Sequence, residues 1–200
     1  HEVLVDIGCG SGEMLEAGRD RFARCVGFDT NRPLIRHIAA QGRAVAIEGH
    51  FDAGRIPGEL RGRPTVFALS HVLEHLPEPA GLLAQVAAAM GPGDLLYVEV
   101  PLHTGESFRR QGYGWNLWNA EHLALYGPRT LGVLAGRAGL AVLDSGSRIF
   151  ARGSRSTKTR LRLLRRAPAA FLRAALTKPR RLSIADVMVA DYGYAVLRKP

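Results

Sequence analysis

Two hundred residues with 46% apolar content suit one domain with a sizeable core, of ordinary globular composition. No apolar run approaches the ~20 residues of a membrane span, and the longest useful one, Leu95 to Leu102, is broken by Glu99 and Pro101. The net charge of +9 is local: twelve Lys and Arg and no acids lie between Arg148 and Arg181, while the rest of the chain carries 15 basic and 18 acidic residues.

The first strand is expected at 2–7 and runs straight into a glycine loop, Asp6-Ile7-Gly8-Cys9-Gly10-Ser11-Gly12, with a helix at 12–19 behind it. A strand, a glycine turn and a helix start let backbone lie close against a bound cofactor. A second strand at 24–29 ends on Asp29, about 20 residues on, where a carboxylate suits the hydroxyls of a ribose. A dinucleotide fingerprint needs a third glycine where Glu13 stands, and Glu13 would put negative charge where a pyrophosphate should sit. The loop therefore reads as a nucleoside site without a pyrophosphate.

The alternation continues with a helix at 32–41, a strand at 43–48, a strand at 65–70, a helix at 79–90 and a strand at 95–100. A helix at 128–138 opens on Pro128, and strands at 140–145 and 193–198 close the pattern. Such alternation implies a doubly wound α/β sheet. Ligands in such sheets bind beyond the carboxyl ends of the strands, where Gly8–Gly12, Asp29, His50, Ser70–His75 and Pro101–His103 all fall. Five of the 14 aromatics (Phe108, Tyr113, Trp115, Trp118 and Tyr126) lie in 101–126, placed either to roof a substrate pocket or to pack a surface loop. The two cysteines allow no disulfide framework. Cys9 and Cys25 read as small buried fillers, a usage that fits a reducing cytoplasm.

Asp6 to Gly12 resembles the first motif of class I S-adenosylmethionine (SAM)-dependent methyltransferases, and Asp29 resembles their ribose-binding acid. Ser70-His71-Val72-Leu73-Glu74-His75-Leu76 resembles the segment after their fourth strand, and Gly91-Pro92-Gly93-Asp94 with Leu95–Pro101 their turn and fifth strand. Glu121-His122-Leu123 and Leu131 to Leu140 resemble the next helix and its exit, so the likeness covers roughly residues 1–146. It implies a Rossmann-like, seven-stranded, mostly parallel sheet with an antiparallel last strand, forming one domain over 1–200. It also implies that helices which usually precede the first strand are missing, and the chain, opening at His1 without methionine, reads as a fragment. SAM is the implied cofactor, held by Asp6, Gly8, Gly10, Gly12, Asp29, His50 and Ser70. His50 stands where the family often has an aspartate near the adenine, a place that Asp52 or backbone could also fill.

Methyl transfer from a sulfonium is a direct displacement, so the protein mainly aligns three atoms and removes a proton from the acceptor where one must go. His71-x-x-Glu74-His75 is the sharpest candidate for that work. Taken alone it matches a zinc-protease pattern, but it follows an apolar parallel strand in a chain with a SAM-like loop. Three readings stand side by side. His75, Glu121 and His122 match the proton-transfer positions of sugar C-methyltransferases. Glu74, His75 and His122 match the metal ligands of ubiquinone-pathway and small-RNA 2′-O-methyltransferases, with His71 in place of their first glutamate, which favours a softer ion than Mg²⁺ or no ion. Or the Leu-Glu-His segment only shapes the pocket. The catalytic expectation is His75, His122 and Glu121, with no resident metal.

The basic insertion, 148–185, precedes the last strand. Between Arg160 and Leu176 apolar residues recur at helical spacing, interrupted at Pro168. It reads as a solvated cap, as a basic amphipathic helix on an anionic membrane surface, or as a platform for nucleic-acid phosphates. The expected function is transfer of a methyl group from SAM to oxygen or carbon of a small-molecule or saccharide-like acceptor. The alternatives are a metal-assisted RNA 2′-O-methyltransferase, and a non-catalytic membrane- or partner-binding module on the same fold.

Overall fold

The computed structural model describes residues 1–115, 117–148 and 192–200; the insertion is outside these from residue 149 on. Seven strands form one sheet: β1 (Val3–Ile7), β2 (Arg24–Asp29), β3 (Val45–Glu48), β4 (Thr65–Ser70), β5 (Leu95–Pro101), β6 (Ala141–Arg148) and β7 (Tyr192–Arg198). Their order is β3-β2-β1-β4-β5-β7-β6, with β1 to β5 parallel and β7 antiparallel to both β5 and β6. The chain direction across the sheet reverses between β1 and β4, and that switch point is where an open α/β sheet leaves its ligand crevice. Every residue of β1 is buried, as a central strand covered on both faces requires.

The two faces differ in weight. Odd-numbered positions of β1 and β4 (Val3, Val5, Ile7, Phe67, Leu69) join Leu96, Val98 and Val100 of β5 in the larger core. This core is closed by Leu83 and Val86 of α3 (Pro79–Ala89) and by Leu131 and Ala135 of α5 (Pro128–Arg137). Leu4, Cys25 and Ala68 form the smaller core with Leu15 of α1 (Glu13–Gly18) and Ile35 and Ile38 of α2 (Arg32–Gln41). Cys9 and Cys25 pack in this second core, and burial pushes the Cys9 thiol up to about 12, so both behave as apolar fillers.

Local chemistry sets the helix ends. Asn31 caps α2, its Oδ1 accepting the Leu34 N–H at 3.3 Å, and Gly42 ends it at φ 64°. Pro79 and Pro128 occupy first-turn positions of α3 and α5, where a missing N–H costs nothing. The segment 101–126 holds two short elements absent from the sequence pattern, the helix α4 (Glu106–Gln111) and a 3₁₀ turn at Gly112–Gly114. The edge strand β6 slips register between Val142 and Asp144, leaving Leu143 as a bulge. Among the described residues no helix is long and apolar enough to cross a membrane.

Candidate functional site

The carboxyl ends of β1 to β4 surround a cleft of about 470 Å³ lined by Gly8, Asp29, His50, Phe51, Val72 and Leu82, among others. The loop after β1 turns through three left-handed glycines, Gly8 (φ 74°), Gly10 (φ 52°) and Gly12 (φ 84°). Gly8 is forced by packing as well, since a Cβ there would come within 2.6 Å of Val72 Cγ2. At Gly10 a Cβ would meet nothing within 4 Å, so this backbone faces open space. A glycine with positive φ and no neighbour is a cradle for close approach of a ligand.

Asp29 lines the same cleft and also ties the loop down. Its carboxylate accepts the Gly10 N–H at 2.8 Å and the Asn31 N–H at 2.7 Å. Each oxygen keeps a second lone pair, which leaves room for ribose hydroxyls. His50 stands exposed on the cleft wall beside Phe51, whose ring packs edge-on against Phe28 at 5.3 Å. Asp52 is elsewhere: its carboxylate caps a 3₁₀ turn by accepting the Gly54 N–H at 2.8 Å.

Of the seven expected cofactor residues Gly8, Asp29 and His50 line the cleft, whereas Asp6, Gly10, Gly12 and Ser70 do not. Asp6 lies beneath the loop, only 3% exposed, and burial together with the nearby charge of Asp29 lifts its pKa to about 7. Ser70 shares the face of β4 that carries Ala68, and its hydroxyl is directed to Glu99 Oε1 at 3.5 Å. Strand alternation explains both positions, since residues at even positions of β1 and β4 face the smaller core.

The acceptor-side candidates converge on a 3₁₀ turn, Leu73–His75, directly after β4; Val72 and Leu76 on either side of it line the cleft. Leu123 and Ala124 donate their N–H groups to the Glu74 carbonyl at 2.7 and 3.3 Å, and the Tyr126 hydroxyl donates to Leu73 O at 3.0 Å. These bonds bring His122 against His75, ring centroids 4.7 Å apart. His75 Nδ1 lies 3.0 Å from the carbonyl oxygen of Glu121, so that nitrogen carries the proton. Glu121 therefore meets His75 through its backbone, and its side chain is exposed. Asn119 Oδ1 accepts the N–H groups of Glu121 and His122 at 2.9 and 3.1 Å, fixing that segment.

One ligand atom from each of Glu74, His75 and His122 lies within 4.8 Å of the other two. His71 is outside this group. Its ring sits 3.1 Å from Glu74 Oε1 and 3.5 Å from Glu99 Oε1, and its backbone is left-handed at φ 56°. Burial alone would lower its pKa, yet the hydrogen bonds and charges of Glu74 and Glu99 outweigh that and raise it to about 9. Glu99 was legible only as a charge in an apolar strand; the structure makes it a buried hub that also accepts the Tyr97 hydroxyl at 2.6 Å.

None of the five aromatics of 101–126 lines the cleft. Tyr126 is a core residue, Trp115 is 2% exposed, and Phe108 and Trp118 pack ring to ring at 5.9 Å. Gly49 (φ 121°), which donates its N–H to Asp29 O at 2.8 Å, and the cleft-lining Leu82 and Gln85 of α3 were not signalled by any motif.

The chain is 29% identical over 108 residues to a ubiquinone biosynthesis O-methyltransferase of Xylella fastidiosa, a match covering 52% of this chain and 44% of that protein. It is 30% identical over 109 residues to a trans-aconitate 2-methyltransferase of Methylobacterium nodulans, covering 54% and 41%. The matches thus span less than half the length of these curated relatives. The fold superposes with TM-score 0.59 and 18% identity on an O-methyltransferase from neocarzinostatin biosynthesis, solved with S-adenosyl-L-homocysteine and 1,4-dihydroxy-2-naphthoic acid, covering 99% of this chain and 49% of that one. A family model described as "Methyltransferase domain" matches residues 1–145. With a Rossmann-like sheet, a glycine loop opposite Asp29 and a match over most of its length, this chain belongs to the methyltransferase domain family of class I fold.

Proposed function

We propose that the chain is a single SAM-dependent domain that methylates an oxygen of a small-molecule acceptor, with His75 and His122 on the acceptor side. The observation that carries this reading is the continuity of two half-sites. The cleft bounded by Gly8 and Asp29 shares Val72 and Leu76 with the turn that presents His75 against His122. Gly10 backbone and the Asp29 carboxylate suit a nucleoside, and Phe28 and Phe51 offer apolar surface for its base. SAM supplies the transferable methyl on a sulfonium.

On the acceptor side the chain's own residues hold or remove a proton. His75, donating from Nδ1 to the Glu121 carbonyl, offers Nε2 as the basic nitrogen. His122 is half-buried beside it, and Glu121 contributes through its carbonyl. Oxygen is favoured over carbon because the curated relatives are named for O-methyl or carboxylate-type acceptors; a saccharide-like acceptor fits the same hydroxyl chemistry. Peripheral contact with an anionic membrane or nucleic acid through 148–181 is supported by the charge of that sequence alone.

Asp29→Ala should weaken SAM binding strongly in calorimetry, and unchanged affinity would overturn the cofactor assignment. His122→Ala should lower turnover on an acceptor panel of phenols, carboxylic acids and sugars more than it lowers SAM affinity. Full activity in that variant would remove His122 from the reaction.

A further inference from the structure

Among the described residues His71 is the one residue other than glycine with a left-handed backbone, at φ 56°. A Cβ disfavours that conformation, and such strain persists where the surroundings hold it, above all at functional sites. Here the hold is visible. The His71 N–H donates to Glu99 O at 2.9 Å, one residue beyond the end of β4, and the ring of Tyr192 lies edge-on to the imidazole at 4.9 Å.

The imidazole lies between two buried carboxylates that come from different elements. Its Nδ1 is 3.1 Å from Glu74 Oε1 in the turn after β4, and its Nε2 is 3.5 Å from Glu99 Oε1 in β5. Glu74 is 0% and Glu99 3% exposed. With a carboxylate on each side, both ring nitrogens serve as N–H donors. The two acids are not equally placed. Glu99 is also reached by the hydroxyls of Tyr97 at 2.6 Å and Ser70 at 3.5 Å, so it is anchored in the sheet. For the Glu74 carboxylate the bond from His71 is the one hydrogen bond among the described residues, and its Oε2 has no partner there. Without His71 a fully buried carboxylate loses its counter-charge, and an unpaired buried charge forces the chain around it to rearrange.

The chain that would rearrange is the acceptor side. The Glu74 carbonyl accepts from Leu123 and Ala124, so the residue that His71 grips by its side chain carries the His122 segment on its backbone. The same turn presents His75, whose ring meets that of His122 at 4.7 Å. We propose that His71 is the positioning residue of the acceptor side: its ring bridges Glu74 to Glu99 and thereby fixes His75 and His122 relative to the sheet. It acts through Glu74, not on the acceptor. The bridge does not depend on the methyl-transfer reading; its effect on turnover rests on that reading.

The test separates the ring from the backbone that carries it. His71→Gly accepts the left-handed φ without strain and removes the bridge. In nuclear magnetic resonance spectra of the 200-residue chain, the ring protons of His75 and His122 should share a nuclear Overhauser peak, and His71→Gly should lose it. In the same variant turnover on a panel of phenols, carboxylic acids and sugars should fall by about 10- to 100-fold, the scale of a misplaced reacting group, with KM for SAM unchanged. Free imidazole should restore both the peak and the turnover, because the His71 side chain is 35% exposed and its place is open to solvent. A mere loss of stability would not respond to imidazole in this way. His71→Asn tolerates the positive φ and keeps a donor where Nδ1 stands but does not reach Glu99, so it should fold and lose turnover to a smaller extent; it carries the test if His71→Gly does not fold. Glu99→Gln should lower turnover in the wild type and add little in His71→Gly, since both changes break one bridge. A His75–His122 peak that persists in both His71 variants, or losses from His71→Gly and Glu99→Gln that simply add, would overturn the proposal. SAM calorimetry on the same samples keeps the readings apart. Loss of the peak in a chain that binds no SAM leaves the bridge standing and sinks the proposed function, whereas SAM binding and full turnover in His71→Gly sink the bridge alone.

Discussion

Asp6 is the residue at which burial and charge conflict most openly. Its pKa near 7 in the folded chain stands above the ordinary carboxyl value of 3.8, so the folded state holds the proton more tightly than the unfolded one. Its contribution to stability is therefore complete below about pH 4, fades as pH rises toward 7, and is lost above that; a shift of this size corresponds to about 4 kcal/mol. Asp6→Asn should raise the melting temperature of the cofactor-free chain by an increment that grows between pH 5 and pH 8. An increment independent of pH would show that Asp6 is not the group responsible. The glycines separate two effects in the same loop. Gly8→Ala meets Val72 at 2.6 Å and also bears a φ of 74°, and should cost roughly 1–3 kcal/mol in urea unfolding. Gly10→Ala, with open space around its Cβ, should cost less stability while still lowering SAM affinity; equal stability losses would argue against this division.

At the scale of elements, β6 and β7 are paired through Arg148 and Tyr192, so the two ends of the basic insertion are antiparallel neighbours in one ladder. A two-residue hairpin turn can join such ends. Replacing residues 149–191 by a short Asn-Gly turn should thus leave the melting temperature within a few degrees, as followed by circular dichroism. Loss of the cooperative transition would mean that the sheet depends on the replaced residues. The same elements show how far periodicity reads. All seven strands were legible, because the central parallel strands are continuous apolar runs and β7 alternates. Pro128 marked a helix start for a reason local to the chain, and in the structure Pro79 and the Asn31 cap serve α3 and α2 in the same local way. Helix α4 was not legible, since six residues carry too little periodicity to signal a helix. The aromatics beside it could be assigned to a pocket or to packing only once ring contacts were known.

For the whole molecule, the cleft is assembled by the ends of four strands and one face of α3, so a ligand there should report on global stability. SAM at 100 times its dissociation constant should stabilise the fold by about 2.7 kcal/mol, which for a chain of this size is roughly 5–10 °C in thermal unfolding. Asp29→Ala should abolish that increment, and a full shift in the variant would place the cofactor elsewhere. The larger core under β1, β4 and β5 makes the cleft floor rigid, with Val5, Leu69, Leu96 and Val100 all at 0% exposure.

The strands, the glycine loop and the carboxylate at the end of β2 are local consequences of apolar runs, positive-φ requirements and strand ends, while the antiparallel last strand was implied only by the family resemblance. The sequence also named the histidines and carboxylates after β4 and near residue 121. Tertiary structure alone decided their partners. Only the folded chain turns Ser70 and His71 toward Glu99, places Tyr126 under Leu73, and brings Glu121, at a sequence separation of 46, and its neighbour His122 to His75. Pairing across such separations is fixed by backbone bonds between segments and by burial, and neither leaves a periodic trace in the chain.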